Sequence, residues 1–203
     1  MRVKICGITR VEDAKAALDA GADAIGLVFA KSPRRVSAKQ AEKICKAVGP
    51  WVSVVGVFVN EKSSVISQLA LDCGLDVVQL HGEEPPAFIK SIGGVKIIKA
   101  FRVENKADLK QVARYNTDAF LFDTKVSGLY GGSGKSFDWN VLKSARFSKP
   151  WILSGGLSVK NVRQALKSLN PYGVDVSSGV EKAPGIKDAK LIKEFISCVK
   201  KDS

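Results

Sequence analysis

Gly21-Ala22-Asp23-Ala24-Ile25-Gly26-Leu27-Val28-Phe29 reads as the end of a helix running straight into a strand, and Gly74-Leu75-Asp76-Val77-Val78 repeats the junction one unit later. A glycine suits the left-handed position that closes a helix, because it has no Cβ to clash there. Each glycine is followed by an Asp and then by a β-branched run. Moving outward, short runs of this kind alternate with longer stretches of helical periodicity from one end of the chain to the other. The expected strands are 3–6, 24–29, 52–59, 77–80, 95–100, 119–123, 151–154 and 174–177. A βαβα alternation of this kind is the pattern of a parallel sheet. Eight strands in 203 residues leave about 25 residues for each strand, helix and pair of loops. The expected fold is therefore α/β, a single-domain (β/α)8 TIM barrel over residues 1–203. An open doubly wound sheet would be expected to have fewer strands and a Gly-rich first turn, and Cys6-Gly7-Ile8-Thr9 is not GxGxxG. Thr9 with Glu12 and Ser37 with Gln40 fit the capping box, marking two helix starts.

Composition agrees with one folded unit: 45% of residues are hydrophobic and 26% charged, far from a disordered chain. Met1-Arg2 leads directly into a strand, and the longest near-apolar run, Trp51 to Val59, is too short to span a bilayer, so neither export nor membrane insertion is expected. Cys6, Cys45, Cys73 and Cys198 form no CxxC pair, which reads as a reduced, cytoplasmic protein. Cys45, Cys73 and Cys198 fall in helical stretches and are expected only to pack. The net charge of +12 favours anionic ligands, yet basic residues such as Lys39, Lys43 and Lys46 are scattered among acidic ones and read mainly as a solvated surface. A nucleic-acid-binding protein would also explain the charge, but no RNP-like aromatic motif or zinc-finger spacing supports it.

In a barrel the C-terminal strand ends line the active-site mouth, which brings Cys6, His81, Asp123 and Ser154 forward. Side chains two apart in a strand share a face, so Lys4 goes with Cys6, Gln79 with His81, and Leu121 with Asp123, while Val3 and Ile5 meet the helices. Cys6 could be a small buried hydrophobe; as a base its thiol needs a cationic neighbour such as Lys4. Asp123 could be a helix cap, but a carboxyl at the rim opposite a thiol makes an acid/base pair. His81 is the only histidine, without a second ligand at metal spacing, so no metal is expected and its alternatives are a substrate hydrogen bond or a structural role. Arg34, beside Arg35 in the loop after the second strand, could clamp a carboxylate through its two-pronged guanidinium, or belong to a solvated basic loop. Ser154-Gly155-Gly156-Leu157 and Asp175-Val176-Ser177-Ser178-Gly179 follow strands seven and eight, where barrels commonly hold a phosphate on backbone N–H groups. Gly128-Leu129-Tyr130-Gly131-Gly132-Ser133-Gly134-Lys135-Ser136 lacks the glycine spacing of a nucleotide P-loop and reads as a cover that could close over substrate.

Taken in order, Lys4-Ile5-Cys6-Gly7-Ile8-Thr9, Gln79-Leu80-His81-Gly82-Glu83, Phe122-Asp123-Thr124-Lys125, Tyr130-Gly131-Gly132-Ser133-Gly134-Lys135, Ser154-Gly155-Gly156-Leu157 and Asp175-Val176-Ser177-Ser178-Gly179-Val180-Glu181 resemble the phosphoribosylanthranilate isomerases of tryptophan biosynthesis, from Lys4 to about Gly185. The resemblance implies an aldose–ketose isomerase that performs an Amadori rearrangement of N-(5′-phosphoribosyl)anthranilate without metal or organic cofactor. It implies Asp123 as general acid, Cys6 as general base and Arg34 on the anthranilate carboxylate. Gly155, Gly156, Ser177 and Ser178 would hold the phosphate, with Gln79 and His81 facing the substrate. Members of the family more often carry Tyr or His where Arg35 stands. The histidine-pathway isomerase of the same barrel type is the rival reading, but it pairs two aspartates where this chain has Cys6. The expected partner is a phosphorylated small molecule, with no nucleic acid or membrane, and the protein a monomer or homodimer.

Overall fold

The computed structural model describes residues 1–124, 138–143 and 145–200. Eight parallel strands close into a barrel in sequence order: β1 (Arg2–Cys6), β2 (Ala24–Val28), β3 (Ser53–Phe58), β4 (Val77–Leu80), β5 (Lys96–Val103), β6 (Ala119–Thr124), β7 (Trp151–Leu153) and β8 (Gly173–Val176). β8 pairs back onto β1, with Lys4 opposite Asp175. The strands fall where the β-branched runs place them, within a residue or two at most ends. β5 is the exception: it continues to Val103 because Phe101, Arg102 and Val103 find ladder partners in Phe122, Asp123 and Thr124.

Alternation along each strand creates two apolar compartments. Outward side chains, among them Val3, Ile5, Ile25, Leu27, Phe120 and Phe122, pack against helices α1 (Val11–Asp19), α2 (Ala38–Val48), α3 (Ser63–Cys73), α5 (Val162–Ser168) and α6 (Ala189–Lys200) in one continuous core. Inward side chains Ile98, Ala100, Leu121 and Ile152 fill the barrel. Cys45, Cys73 and Cys198 lie on α2, α3 and α6, as their helical periodicity requires. Among the described residues no helix is long and apolar enough to cross a membrane.

The repeated junction has a specific purpose. Gly21 and Gly74 both have positive φ, 91° and 66°. The Asp two residues later accepts the N–H at the start of the preceding strand: Asp23 Oδ2 from Val3 at 2.8 Å, and Asp76 Oδ2 from Val54 at 2.7 Å. Asp118 repeats the device on Ile97 at 2.7 Å. Each carboxylate thus satisfies a strand-end donor at the bottom of the barrel that no neighbouring strand reaches.

Not every unit has the expected helix. The segments 86–91 and 106–114 are 3-10 helices, the first opened by Pro85-Pro86 and followed by Gly93-Gly94. α4 (Asn140–Lys143) is a single turn. The capping box at Ser37 and Gln40 is formed. The one expected at Thr9 and Glu12 is not: α1 starts a residue later, behind an extended Arg10 that makes no side-chain cap. Thr9 Oγ1 instead donates to the carbonyl of Gly185 at 2.5 Å, a tertiary bond across the chain that removes it from the helix end. Before α6 the chain forms a small hairpin, β9 (Glu181–Ala183) with β10 (Ile186–Lys187), which the strand count did not anticipate. The Gly-rich stretch 128–136 lies outside the described residues.

Candidate active site

The inward positions at the C-terminal half of the barrel are polar, and they touch one another. Lys4 of β1 donates from Nζ to Asp175 Oδ1 of β8 at 2.8 Å and to Gln79 Oε1 of β4 at 2.9 Å. Ser154, just past β7, donates to Asp175 Oδ2 at 3.1 Å. The Gln79 amide nitrogen lies 2.9 Å from His81 Nδ1. Because the amide oxygen already faces an ammonium, the amide end nearest the ring is the NH2, which donates; Nδ1 is then the acceptor and the ring proton is on Nε2. That nitrogen is buried 3.2 Å from Asp123 Oδ2, at an angle that makes no hydrogen bond. Asp123 is itself fixed by Thr124 N–H, which donates to Oδ1 at 2.7 Å. A polar layer thus crosses the barrel from Asp123 through His81, Gln79 and Lys4 to Asp175 and Ser154. It brings together Cys6, Gln79, His81, Asp123 and Ser154 from the ends of four strands distant in sequence, β1, β4, β6 and β7.

Cys6 sits on this layer beside Lys4. Its opposite number on β2 is Gly26, and a Cβ there would lie 2.7 Å from Cys6 Sγ and 3.2 Å from Lys4 Cε. Only glycine leaves room for both side chains. Burial pushes the Cys6 thiol above its ordinary pKa; Lys4 and Lys187 draw it down, and Asp175 opposes them. Burial thus favours the thiol, and the cationic neighbours draw it toward the thiolate.

Arg34 reaches the mouth over Gly7, where a Cβ would fall 2.5 Å from Arg34 Cδ and 3.0 Å from Ser177 Oγ. Its fork is engaged within the protein: Nε and Nη2 donate to the two carboxylate oxygens of Glu181 at 2.8 and 2.7 Å. The second cation on Glu181 is Lys187 Nζ at 2.8 Å, which also donates to Ser177 O at 3.1 Å. Neither Glu181 nor Lys187 was singled out as a site residue from the sequence, since both lie on the unanticipated hairpin. Arg35, beside Arg34, is exposed.

Gly155 and Gly156 both have positive φ, 88° and 65°, and their N–H groups donate to no acceptor among the described residues. A Cβ at Gly155 would meet Thr124 Oγ1 and Asp123 Oδ1. This loop therefore turns tightly against the end of β6. A Cβ at Gly179 would collide with the carbonyl of Leu157, which places the loops after β7 and β8 in contact. Among the described residues no group of three or more His, Cys, Asp or Glu side chains could hold a metal ion.

Residues 3–198 match the family model described as N-(5′-phosphoribosyl)anthranilate (PRA) isomerase. The chain belongs to that family. It is 48% identical over 203 residues to N-(5′-phosphoribosyl)anthranilate isomerase of Pelobacter propionicus, covering 98% of this chain and 96% of the relative. The crystal structure of phosphoribosyl anthranilate isomerase from Thermotoga maritima superposes with a TM-score of 0.93 at 43% identity, covering 99% of each chain. A phosphoribosyl anthranilate isomerase in complex with reduced 1-(o-carboxyphenylamino)-1-deoxyribulose 5-phosphate superposes at 0.89 with 42% identity, again over 99% of each.

The Arg34–Glu181–Lys187 cluster has a consequence for acid stability. Burial raises the Glu181 carboxyl, but its two cationic partners outweigh that and hold it below the ordinary value. A carboxyl depressed on folding contributes stability above its unfolded pKa and loses it as pH falls through the folded value. Acidification from about pH 6 to about pH 2.5 should therefore narrow the stability gap between wild type and Glu181→Gln, read as urea midpoints. A gap independent of pH would mean that Glu181 gains nothing from its charge.

Proposed function

We propose that the chain converts N-(5′-phosphoribosyl)anthranilate into 1-(2-carboxyphenylamino)-1-deoxyribulose 5-phosphate, with Asp123 as general acid and Cys6 as general base. The observation that carries this reading is the single polar layer on which both groups stand, reached from β6 and β1 on opposite sides of the barrel. The rearrangement needs two proton transfers on one bound sugar, and groups fixed across a mouth from one another can serve both without moving. Asp123 gives its proton to the furanose ring oxygen as the C1′–O bond breaks and the anilino nitrogen forms the protonated Schiff base. Cys6, as thiolate, takes the C2′ proton, and the electron pair neutralises the nitrogen to give an enolamine. Loss of the C2′ hydroxyl proton and gain of one at C1′ then yield the aminoketose.

His81 Nε2–H, beside Asp123, can donate to the sugar oxygen that Asp123 protonates. The open N–H groups of Gly155 and Gly156 and those of Ser177 and Ser178 are suited to the phosphate, since backbone donors in tight glycine turns approach an anion closely. Arg34 is assigned to the anthranilate carboxylate: Glu181 orients the guanidinium through Nε and Nη2, and Nη1 is the nitrogen not used in that pair. The two anionic ends of this substrate agree with a chain of net charge +12. Every group named comes from one chain, so either a monomer or a homodimer would serve. The free thiols of Cys6, Cys45, Cys73 and Cys198 fit a cytoplasmic setting.

The direct test follows the loss of phosphoribosylanthranilate fluorescence on adding the enzyme. Turnover is expected with the wild type, and none would reject the reading. Arg34→Ala should raise KM about tenfold to a hundredfold with kcat little changed, the scale of one lost charge-assisted contact. An unchanged KM would remove Arg34 from the carboxylate.

A further inference from the structure

Resting on the assignment of Cys6 as base, we infer that Lys4 is the positioning residue of the acid/base pair, holding Cys6 toward its thiolate on one side and fixing the proton of His81 beside Asp123 on the other.

An ammonium has three protons to donate and no acceptor. Two of the three on Lys4 are committed, to Asp175 Oδ1 and Gln79 Oε1, on two different strands. The ammonium also acts electrostatically on the Cys6 thiol, which shares its strand face. The glycine at position 26 brings the two together, since the space its missing Cβ would occupy is bounded by Cys6 Sγ and Lys4 Cε. A lysine whose side chain is only 5% exposed, paired with an Asp only 6% exposed, cannot be an incidental surface charge. Burial works against the Lys4 charge, but Asp175 and Cys6 outweigh it and keep its pKa raised, so the cation is retained. Burying such a pair costs the desolvation of both ions, which well-packed apolar residues would avoid. Its retention at the floor of the mouth therefore points to a use of the charge.

That use is defined by the neighbours. The charged groups facing Cys6 among the described residues are Lys4 on its own strand, Asp175 on β8, Arg34 from the connection after β2, and Lys187 on β10, with Glu181 behind the last two. Because Glu181 is held between Arg34 and Lys187, Lys4 is the cation that stands against the sulfur from the barrel interior. Asp175 offsets its field. The same ammonium orients Gln79, because the amide oxygen must turn toward it; the amide NH2 is then obliged to face His81 Nδ1, and the ring proton goes to Nε2. One charge thus sets the direction of the Gln79 amide and, through it, of the His81 ring beside Asp123.

The test uses opposite changes around one sulfur. Thiolate absorbance near 240 nm is titrated in wild type, Lys4→Met and Asp175→Asn, each corrected by the same protein carrying Cys6→Ser. Lys4→Met should move the Cys6 titration upward by about one to three pH units, the range for loss of an adjacent opposite charge, and Asp175→Asn should move it down. Lys4→Arg should stay near wild type. Loosened packing alone would shift both variants the same way, so shifts of equal sign, or none in Asp175→Asn, would overturn the inference even if Lys4→Met failed to fold. The second readout relies on the single histidine of the chain. Ring 15N shifts should report the Nε2–H form in wild type and Lys4→Arg, and a mixture of tautomers in Lys4→Met, where the amide is free to turn. A wild-type tautomer in a folded Lys4→Met would reject the link to Asp123. Neither measurement involves turnover. Normal catalysis by Cys6→Ser would therefore defeat the base assignment without touching the titration result, and the converse pattern would defeat the role of Lys4 alone.

Discussion

Cys6→Ser and Asp123→Asn are each expected to lower kcat by a factor on the order of 10²–10⁴ with the fold retained, equivalent to about 3–5 kcal/mol of barrier. The substitutions are chosen so that the chemistry changes and the geometry does not. A serine hydroxyl fits beside Gly26 where the larger sulfur already fits, but at neutral pH it does not ionise, so Lys4 has no anion to stabilise. An asparagine keeps an oxygen to accept the N–H of Thr124, which now bonds Asp123 Oδ1, but has no proton to transfer to the ring oxygen. KM should change little in either variant, because Arg34 and the glycine loops are intact. Turnover within a few-fold of wild type in either protein would remove that residue from the mechanism, and circular dichroism separates lost chemistry from lost fold.

The largest stability effect is expected away from the acid/base pair. Glu84→Ala should cost about 3–5 kcal/mol of unfolding free energy, the scale for breaking one side of a buried ion pair. Lys99 and Glu84 meet at 2.9 Å with side chains only 3% and 2% exposed. The carboxylate does more than neutralise the lysine. Its Oε1 accepts the N–H groups of Asn60 and Gly82, at 2.8 and 3.1 Å, so it ties the loop after β3 to the loop after β4. Without it, Lys99 keeps only the carbonyls of Leu80 and Gly82, at 3.3 and 2.7 Å, and the buried N–H of Gly82 and the part-buried N–H of Asn60 lose their acceptor. For a chain of this size the loss amounts to a fall of about 10 °C in Tm. Urea denaturation of wild type and variant checks it, and a cost under about 1 kcal/mol would show that water replaces the carboxylate. Lys99→Met should be milder, since removing the cation leaves Glu84 still holding its backbone donors.

Both effects bear on what the sequence could and could not tell. Strand positions, the eightfold alternation and the two faces of each strand were legible, because burial of one side chain in two is a local rule that leaves its mark at short range. It correctly set Lys4 with Cys6 and Gln79 with His81, and put Val3 and Ile5 under the helices. The missing cap at Thr9 was not legible, because a tertiary partner, the Gly185 carbonyl, takes its hydroxyl; nor were the 3-10 segments at 86–91 and 106–114. The same holds for Glu181 and Lys187, whose importance comes from a hairpin folded back over Arg34, and for Glu84, which in sequence is one of two adjacent acids.

By itself, then, the sequence determined the barrel, its register of inward residues and the family to which the chain belongs, since each rests on patterns a few residues long or on motifs in fixed order. Only the tertiary structure decided which charges meet. Arg34 faces Glu181, 147 positions away, and Lys4 faces Asp175, 171 away. Such pairs form because barrel closure sets β8 against β1 and removes water from between them, and no local pattern encodes a partner brought near only by closing the ring.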